Sequence, residues 1–201
     1  VHLLVLNCGS SSVKFQLFTG SPPRVHLRGL VDRVGKAGSR LEIHELGQPA
    51  NDIDLICPDH GAAVAAVFER LADFGDINAV GHRVVHGGER FVRSVVVDDE
   101  VEAAIDGLAG LAPLHNPVNL AGIRTARAVL PDVPHCAVFD TAWHQTLPEH
   151  AYRYALPDAW YRDHGVRRYG FHGTSFLYLA RRAAALLGKD PYCRRFIKGF
   201  R

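Results

Sequence analysis

Methionine is missing from this sequence of 201 residues, and the first residue is Val1. The start of the chain is therefore left open. Long apolar runs are missing too. They stop well short of the roughly 20 residues a membrane-spanning helix needs, so no membrane partner is expected. The N-terminal segment lacks the basic-then-apolar design of a signal peptide, because Asn7 and a run of serines interrupt it. A cytoplasmic location is the expectation. Cysteine is scarce: Cys8, Cys57, Cys136 and Cys193 are scattered, with no CxxC pair. That excludes a disulfide scaffold and a structural zinc site. Histidine is plentiful at 12, yet neither HExxH nor HxH occurs, so no transition-metal centre is expected. Repeats and low-complexity tracts are absent.

Charge imbalance is also small, at +2 overall, and no nucleic-acid partner is expected. Its distribution is uneven. Residues 162–201 hold ten Lys/Arg against two acidic groups, and the remainder holds thirteen against nineteen. Such a segment suits an acidic partner or another part of the same protein. The apolar share of 47% and charged share of 22% fit a soluble globular chain of one domain, or one domain and part of another.

The pattern along the chain predicts strands over 2–7, 12–18 and 25–31, with 40–45 as a fourth. Asp59 is a plausible cap for a helix over 59–73, whose stripe is Ala63, Val64, Val67, Phe68 and Leu71. A buried strand over 77–85 runs into Gly87-Gly88. Helices follow over 98–110 and from Asn116 to about Leu130, the second with Asn116 as cap and Pro117 at its first position. A strand over 134–139 ends at Asp140. Cys8 and Cys136 border these apolar runs and are expected in or near the core. A last helix covers about 175–187, and residues 191–201 have weak strand character. The order suits an α/β layer with a mixed sheet.

Chemistry gathers at the ends of these elements. Asn7-Cys8-Gly9-Ser10-Ser11-Ser12-Val13-Lys14 is a turn between two strands. It offers hydroxyls, backbone N–H groups and one lysine at one point, which suits a phosphate tail. The Walker A spacing is absent, and a strand rather than a helix follows. An ordinary Ser/Gly hairpin fits equally well. Arg83 ends a strand, where a guanidinium can grip a carboxylate or phosphate; a surface ion pair is the plainer alternative. His115 precedes a helix and Asp140 ends a strand, the edge where α/β sheets bind ligands. A packed histidine and an Asx turn are the plainer alternatives there. His172 lies between Phe171 and Gly173 at the start of a helix, where Thr174 or Ser175 can serve as an ordinary cap.

Five stretches together (Asn7–Lys14, Gly81–Phe91, Ala112–Pro117, Val138–Thr146 and Tyr169–Ser175) make the chain resemble the N-terminal half of the acetokinase family, within the actin/Hsp70/sugar-kinase superfamily. The resemblance implies a ribonuclease H-like mixed sheet with flanking helices: a first lobe over residues 1–145 and an incomplete second lobe beginning over 146–201. It implies an acetate kinase activity, reversible phosphoryl transfer from ATP to acetate giving acetyl phosphate and ADP, with Mg2+ and a homodimer. It carries specific roles. Asn7 matches a magnesium-associated asparagine; Ser10, Ser12 and Lys14 match phosphate-side contacts. Arg83 matches the arginine that holds the carboxylate or acetyl phosphate. Val85 and Leu114 match walls of the methyl pocket, and Phe171 matches a lining aromatic. Asp140 matches the catalytic carboxylate, His172 a transition-state stabiliser, and His115 a phosphoryl contact. Two departures stand out. Phe176 replaces a histidine of the family pattern, and the residues after Gly188 lead away from the expected glycine-rich loop. A catalytically inactive fragment, acting as a binding module, is the alternative expectation.

Overall fold

The computed structural model describes residues 1–190; the strand character expected over 191–201 lies outside the described residues. The chain divides into two compact units. The first comprises Val1–Val84 and Ser94–Val138. The second comprises Val85–Arg93 and the chain from Phe139 onward.

Eight strands form one mixed sheet: β1 (His2–Gly9), β2 (Ser12–Thr19), β3 (Arg24–Asp32), β4 (Ser39–Glu45), β5 (Asn51–Leu55), β6 (Ala79–Val84), β7 (Val95–Val96) and β8 (His135–Phe139). Their order is β5-β4-β3-β2-β1-β6-β8-β7. The first five strands form an antiparallel meander, and β6 joins β1 in parallel. Alternation explains the strands. Leu4, Leu6, Cys8, Val13, Phe15 and Leu17 are buried, while Val5, Lys14 and Gln16 between them are exposed.

Two helices pack on the apolar face, α1 (His60–Leu71) and α3 (Asn116–Val129); α2 (Asp99–Gly107) packs on α3. The Asp59 side chain accepts from the Ala62 N–H at 2.8 Å, as its cap position requires. Asp98 caps α2 in the same way. The expected Asn116 cap is not seen: His115 takes the cap position without a side-chain bond, and Asn116 is the first helical residue. Its buried amide instead donates toward the Ile105 carbonyl at 3.5 Å. Asn119 donates to the Cys8 carbonyl at 2.7 Å, tying α3 to β1. Gly122 allows this approach, since a Cβ there would stand 2.5 Å from the Cys8 sulfur.

The core thiols follow the expectation. Cys8 is buried and Cys136 half-buried, and burial pushes the Cys8 thiol up to about 12.

A neutral histidine pair lies inside this unit. His82 Nε2 is 3.0 Å from His135 Nδ1, and His135 Nε2 is 3.0 Å from the Leu130 carbonyl. With His135 Nε2–H donating to that carbonyl, His82 donates and the His135 Nδ1 accepts. Burial, with His135 alongside, pushes His82 down to about 3. The unfolded chain therefore binds a proton below about pH 6.5 that the folded chain refuses down to about pH 3. Stability is full above that window and is lost as pH falls through it, at up to about 1.4 kcal/mol per pH unit for this one group. Urea melts followed by circular dichroism at pH 7.5 and pH 5 should show the loss. His82→Gln, which keeps the donor without the titration, should flatten it.

The second unit carries α4 (Glu149–Tyr152), α5 (Asp158–His164) and α6 (Gly173–Leu187), with a 3-10 turn over Ala142–Thr146. Helix α6 begins two residues earlier than the sequence suggests. His172 precedes it in the left-handed region, with φ 56°. Phe91 stacks on Phe139 at 4.3 Å between ring centroids.

Candidate functional site

The first unit places three of the expected residues in one row. In the ladders, Asn7 pairs with Lys14, and Leu6 pairs with His82 on the parallel strand β6. Asn7 is therefore level with Arg83. All three side chains leave the face opposite α1 and α3, because their neighbours Leu6, Cys8, Val13, Phe15, His82 and Val84 are buried. Arg83 Nη1 donates to Asn7 Oδ1 at 3.1 Å. Asn7 and Lys14 also line a cavity of about 450 Å³ with Val5, Gln16, Arg28 and Glu42.

Ser10 and Ser11 form the turn between β1 and β2; Ser10 is exposed and Ser12 half-buried. His60 approaches the turn from α1, its Nε2 lying 2.7 Å from the Gly9 carbonyl. Leu114 and His115 lie together before α3. Both are exposed, Leu114 at 72%.

The second unit brings Asp140 and His172 together. Asp140 is buried, 1% exposed. Its Oδ2 accepts from the His172 backbone N–H at 3.3 Å and is 3.8 Å from His172 Nδ1. The Gly173 N–H donates to the Asp140 carbonyl at 3.0 Å. The histidine's backbone is thus anchored to a buried carboxylate, while its side chain is 72% exposed. Phe171 is held beside it by a bond of 3.0 Å between its carbonyl and His144 Nε2. Phe176, the departure from the family pattern, sets its ring edge-on to His144 at 5.7 Å.

A supporting layer holds the residues after β6. The Gly87 N–H donates to Thr141 Oγ1 at 2.9 Å, and Gln145 donates to the Gly88 carbonyl at 2.7 Å. His86 is buried with its Nδ1 accepting from the Gly88 N–H at 3.0 Å, and burial pushes its pKa down. It is therefore neutral. Its ring meets Tyr169 and Phe171 edge-on at 4.5 and 5.7 Å. Val85, the expected pocket wall, is buried here as well. Arg167 pairs with Glu89 and lies over the rings of Tyr152 and Tyr169, at 3.8 and 5.0 Å. Tyr161 also donates to Glu89 at 3.0 Å. Its phenol is pushed up to about 12, first by a hydrogen bond with Tyr152, then by burial and Glu89.

Sequence reasoning assigned no role to His86, Thr141, Gln145 or Arg167. The stretch 138–146 drew attention to Thr141 and Gln145, but nothing local marks Arg167.

Each unit by itself offers groups for an anion. In the first, Arg83 and Lys14 supply positive charge; in the second, His172 supplies an exposed ring backed by a carboxylate. They do not by themselves make a magnesium site. Among the described residues no three His, Cys, Asp or Glu groups converge on a metal position. The one magnesium candidate, Asn7, already offers its oxygen to Arg83. Magnesium binds through carboxylates, phosphates and several waters.

Comparison with known proteins agrees with the residue pattern. The family model described as the acetokinase family matches residues 2–197. The chain belongs to the acetokinase family.

Among curated members it is similar to the acetate kinase of Geobacter sulfurreducens, 54% identical over 198 residues. That match covers 94% of this chain and 47% of that protein. The acetate kinase of Thermotoga maritima is 49% identical, with 94% and 49% covered. Among solved structures, the Porphyromonas gingivalis acetate kinase superposes with TM-score 0.87 at 44% identity. A Francisella tularensis propionate kinase does so with TM-score 0.88 at 35% identity. Each superposition covers 94% of this chain and 50% of the other. The chain spans about half the length of the acetokinases it matches. The fold is the expected α/β mixed sheet with flanking helices. The family is one of phosphotransferases, nucleotide-dependent and generally in need of a divalent metal. No helix among the described residues is long and apolar enough to cross a membrane.

Proposed function

We propose that the chain is the N-terminal half of an acetate kinase and carries that enzyme's carboxylate and phosphoryl contacts. The reaction is attack of an acetate oxygen on the terminal phosphorus of ATP. The new P–O bond gives acetyl phosphate, and the bond to the departing ADP oxygen breaks. The observation that carries the reading is the anchoring of His172 by buried Asp140, at 3.3 Å through the backbone.

Acetate is already ionised at neutral pH, so no base must take its proton. Asp140 therefore acts chiefly by holding His172, whose ring is assigned the transferring phosphoryl oxygens. Arg83 is assigned the carboxylate or acetyl phosphate, as a planar fork suited to both. Ser10, Ser12 and Lys14 are assigned the nucleotide phosphates, and His115 a further phosphoryl contact. Val85, Leu114 and Phe171 are assigned the methyl group. A methyl pocket in general separates acetate from propionate by only about 1–3 kcal/mol, and the greater likeness to acetate kinases favours acetate. Magnesium would be held chiefly by phosphate oxygens and water; Asn7 would join them as a ligand by giving up its bond to Arg83. The same reading places residues 1–145 in a first lobe and 146–201 at the start of a second. It also proposes a cytoplasmic homodimer without nucleic-acid or membrane partners.

A second reading, an inactive half that binds without turnover, rests on α6. Leu179, Leu186 and Leu187 there are 51%, 72% and 61% exposed, unpartnered apolar surface of the kind that marks an interface. Acetyl phosphate formation from ATP and acetate, trapped as the hydroxamate, tests the inactive reading. The chain alone is expected to turn over negligibly. Robust formation that Arg83→Ala abolishes would overturn the inactive reading and establish the kinase in this half.

A further inference from the structure

Two non-glycine residues in the described chain have positive φ, His172 at 56° and Arg33 at 58°. The first is already in the candidate site. An L-residue held there costs on the order of 1–3 kcal/mol and persists only where something over-determines it. The loop after β3 uses glycine elsewhere for this purpose, at Gly35 and Gly38, with φ 76° and 71°. At position 33 it uses arginine.

The backbone at this position is well tied, but not through the arginine side chain. The Arg33 carbonyl accepts from the Lys36 N–H at 3.0 Å and from Ser39 Oγ at 3.1 Å. The next N–H, of Val34, donates to the Ser11 carbonyl at 3.0 Å. Glycine would make every one of these bonds with less strain. What glycine lacks is the guanidinium.

The backbone on either side of residue 33 adjoins the serine turn. The ladder of β2 and β3 ends on Ser12 opposite Asp32, and Arg33 is the next residue. The side chain is exposed and lies beside Gly38, where a Cβ would be 3.9 Å from Cζ. Among the described residues no carboxylate pairs with Arg33, Lys36 or Lys14.

We infer that Arg33 is a further polyphosphate-binding residue, gripping the tail of the nucleotide at the Gly9–Ser12 turn. The inference rests on reading that turn as a phosphate cradle. The backbone bonds around residue 33 hold its conformation without a ligand, and the guanidinium is what arginine adds there over glycine.

Inorganic tripolyphosphate, titrated into the purified chain at low ionic strength by calorimetry, tests this without the adenosine part. Arg33→Gly is expected to melt at the same or a higher temperature and to bind about tenfold more weakly. Arg33→Asn, also tolerant of the left-handed region, should weaken binding alike and guards against a glycine-specific effect. Lys14→Ala should weaken binding too. If Lys14→Ala weakens binding while both Arg33 variants match wild type, Arg33 is only a turn residue and the cradle stands. If the Arg33 variants weaken binding while Lys14→Ala does not, the inference holds and the role of Lys14 fails. If wild type does not bind, or no variant alters binding, cradle and inference fail together.

Discussion

Gly173→Ala is expected to destabilise the second unit by about 3 kcal/mol, near the upper end of overpacking costs. A Cβ at this position would stand 2.2 Å from the Asp140 carbonyl oxygen and 2.7 Å from the Trp143 Cβ. The first neighbour is backbone, so a rotamer change cannot relieve the contact. Relief would push α6 away from Asp140. The Gly173 N–H to Asp140 carbonyl bond would go, and with it the bond from the His172 N–H to Oδ2. Both tryptophans of the chain, Trp143 and Trp160, belong to this unit. Their fluorescence in a urea melt therefore reports its unfolding. Gly107→Ala is the control: nothing lies within 4 Å of its Cβ position, and φ is ordinary there. Lying in the first unit, it should leave the tryptophan melt of the second unchanged. Equal stability of Gly173→Ala and wild type would mean that α6 does not meet Asp140 as described.

Arg167→Met should cost the same unit about 2 kcal/mol. The side chain is only 4% exposed, and the guanidinium pairs with Glu89 while covering two tyrosine rings. Methionine keeps much of the volume but loses the charged hydrogen bond and both cation–π contacts. Glu89, at 44% exposure, can turn to water, which keeps the loss below that of a fully orphaned charge. Arg167→Lys should recover part of the loss, since a point charge cannot stack as a planar fork does. The same tryptophan melt measures all three proteins. A methionine variant as stable as wild type would reduce the cluster to surface packing.

Legibility in the sequence followed the range of the interactions involved. The meander and the helix capped by Asp59 were readable because their signals are local: alternation, stripe and cap. Strand β5 was missed because Asn51-Asp52-Ile53-Asp54-Leu55 is a short edge strand with acidic outward positions, which reads as loop. Strand β7, two residues long, carries no pattern at all. At α3 the dipeptide Asn116-Pro117 pointed to an asparagine cap, but tertiary burial drew the amide toward Ile105. The candidate site divides in the same way. Its polar residues were visible because they punctuate the ends of elements. Their supports were not, since Gly87 meets Thr141 54 residues away and Glu89 meets Arg167 78 residues away. No local periodicity encodes such pairs. The left-handed backbone of His172 was likewise hidden, although its place between Phe171 and Gly173 singled the residue out.

The measurement that bears most directly on the functional account is acetyl phosphate binding to the purified chain, followed by 31P NMR. The account predicts saturable binding that Arg83→Ala weakens about tenfold or more, while Arg40→Ala, on the distant strand β4, leaves it unchanged. Absence of binding, or equal binding by wild type and Arg83→Ala, would contradict it.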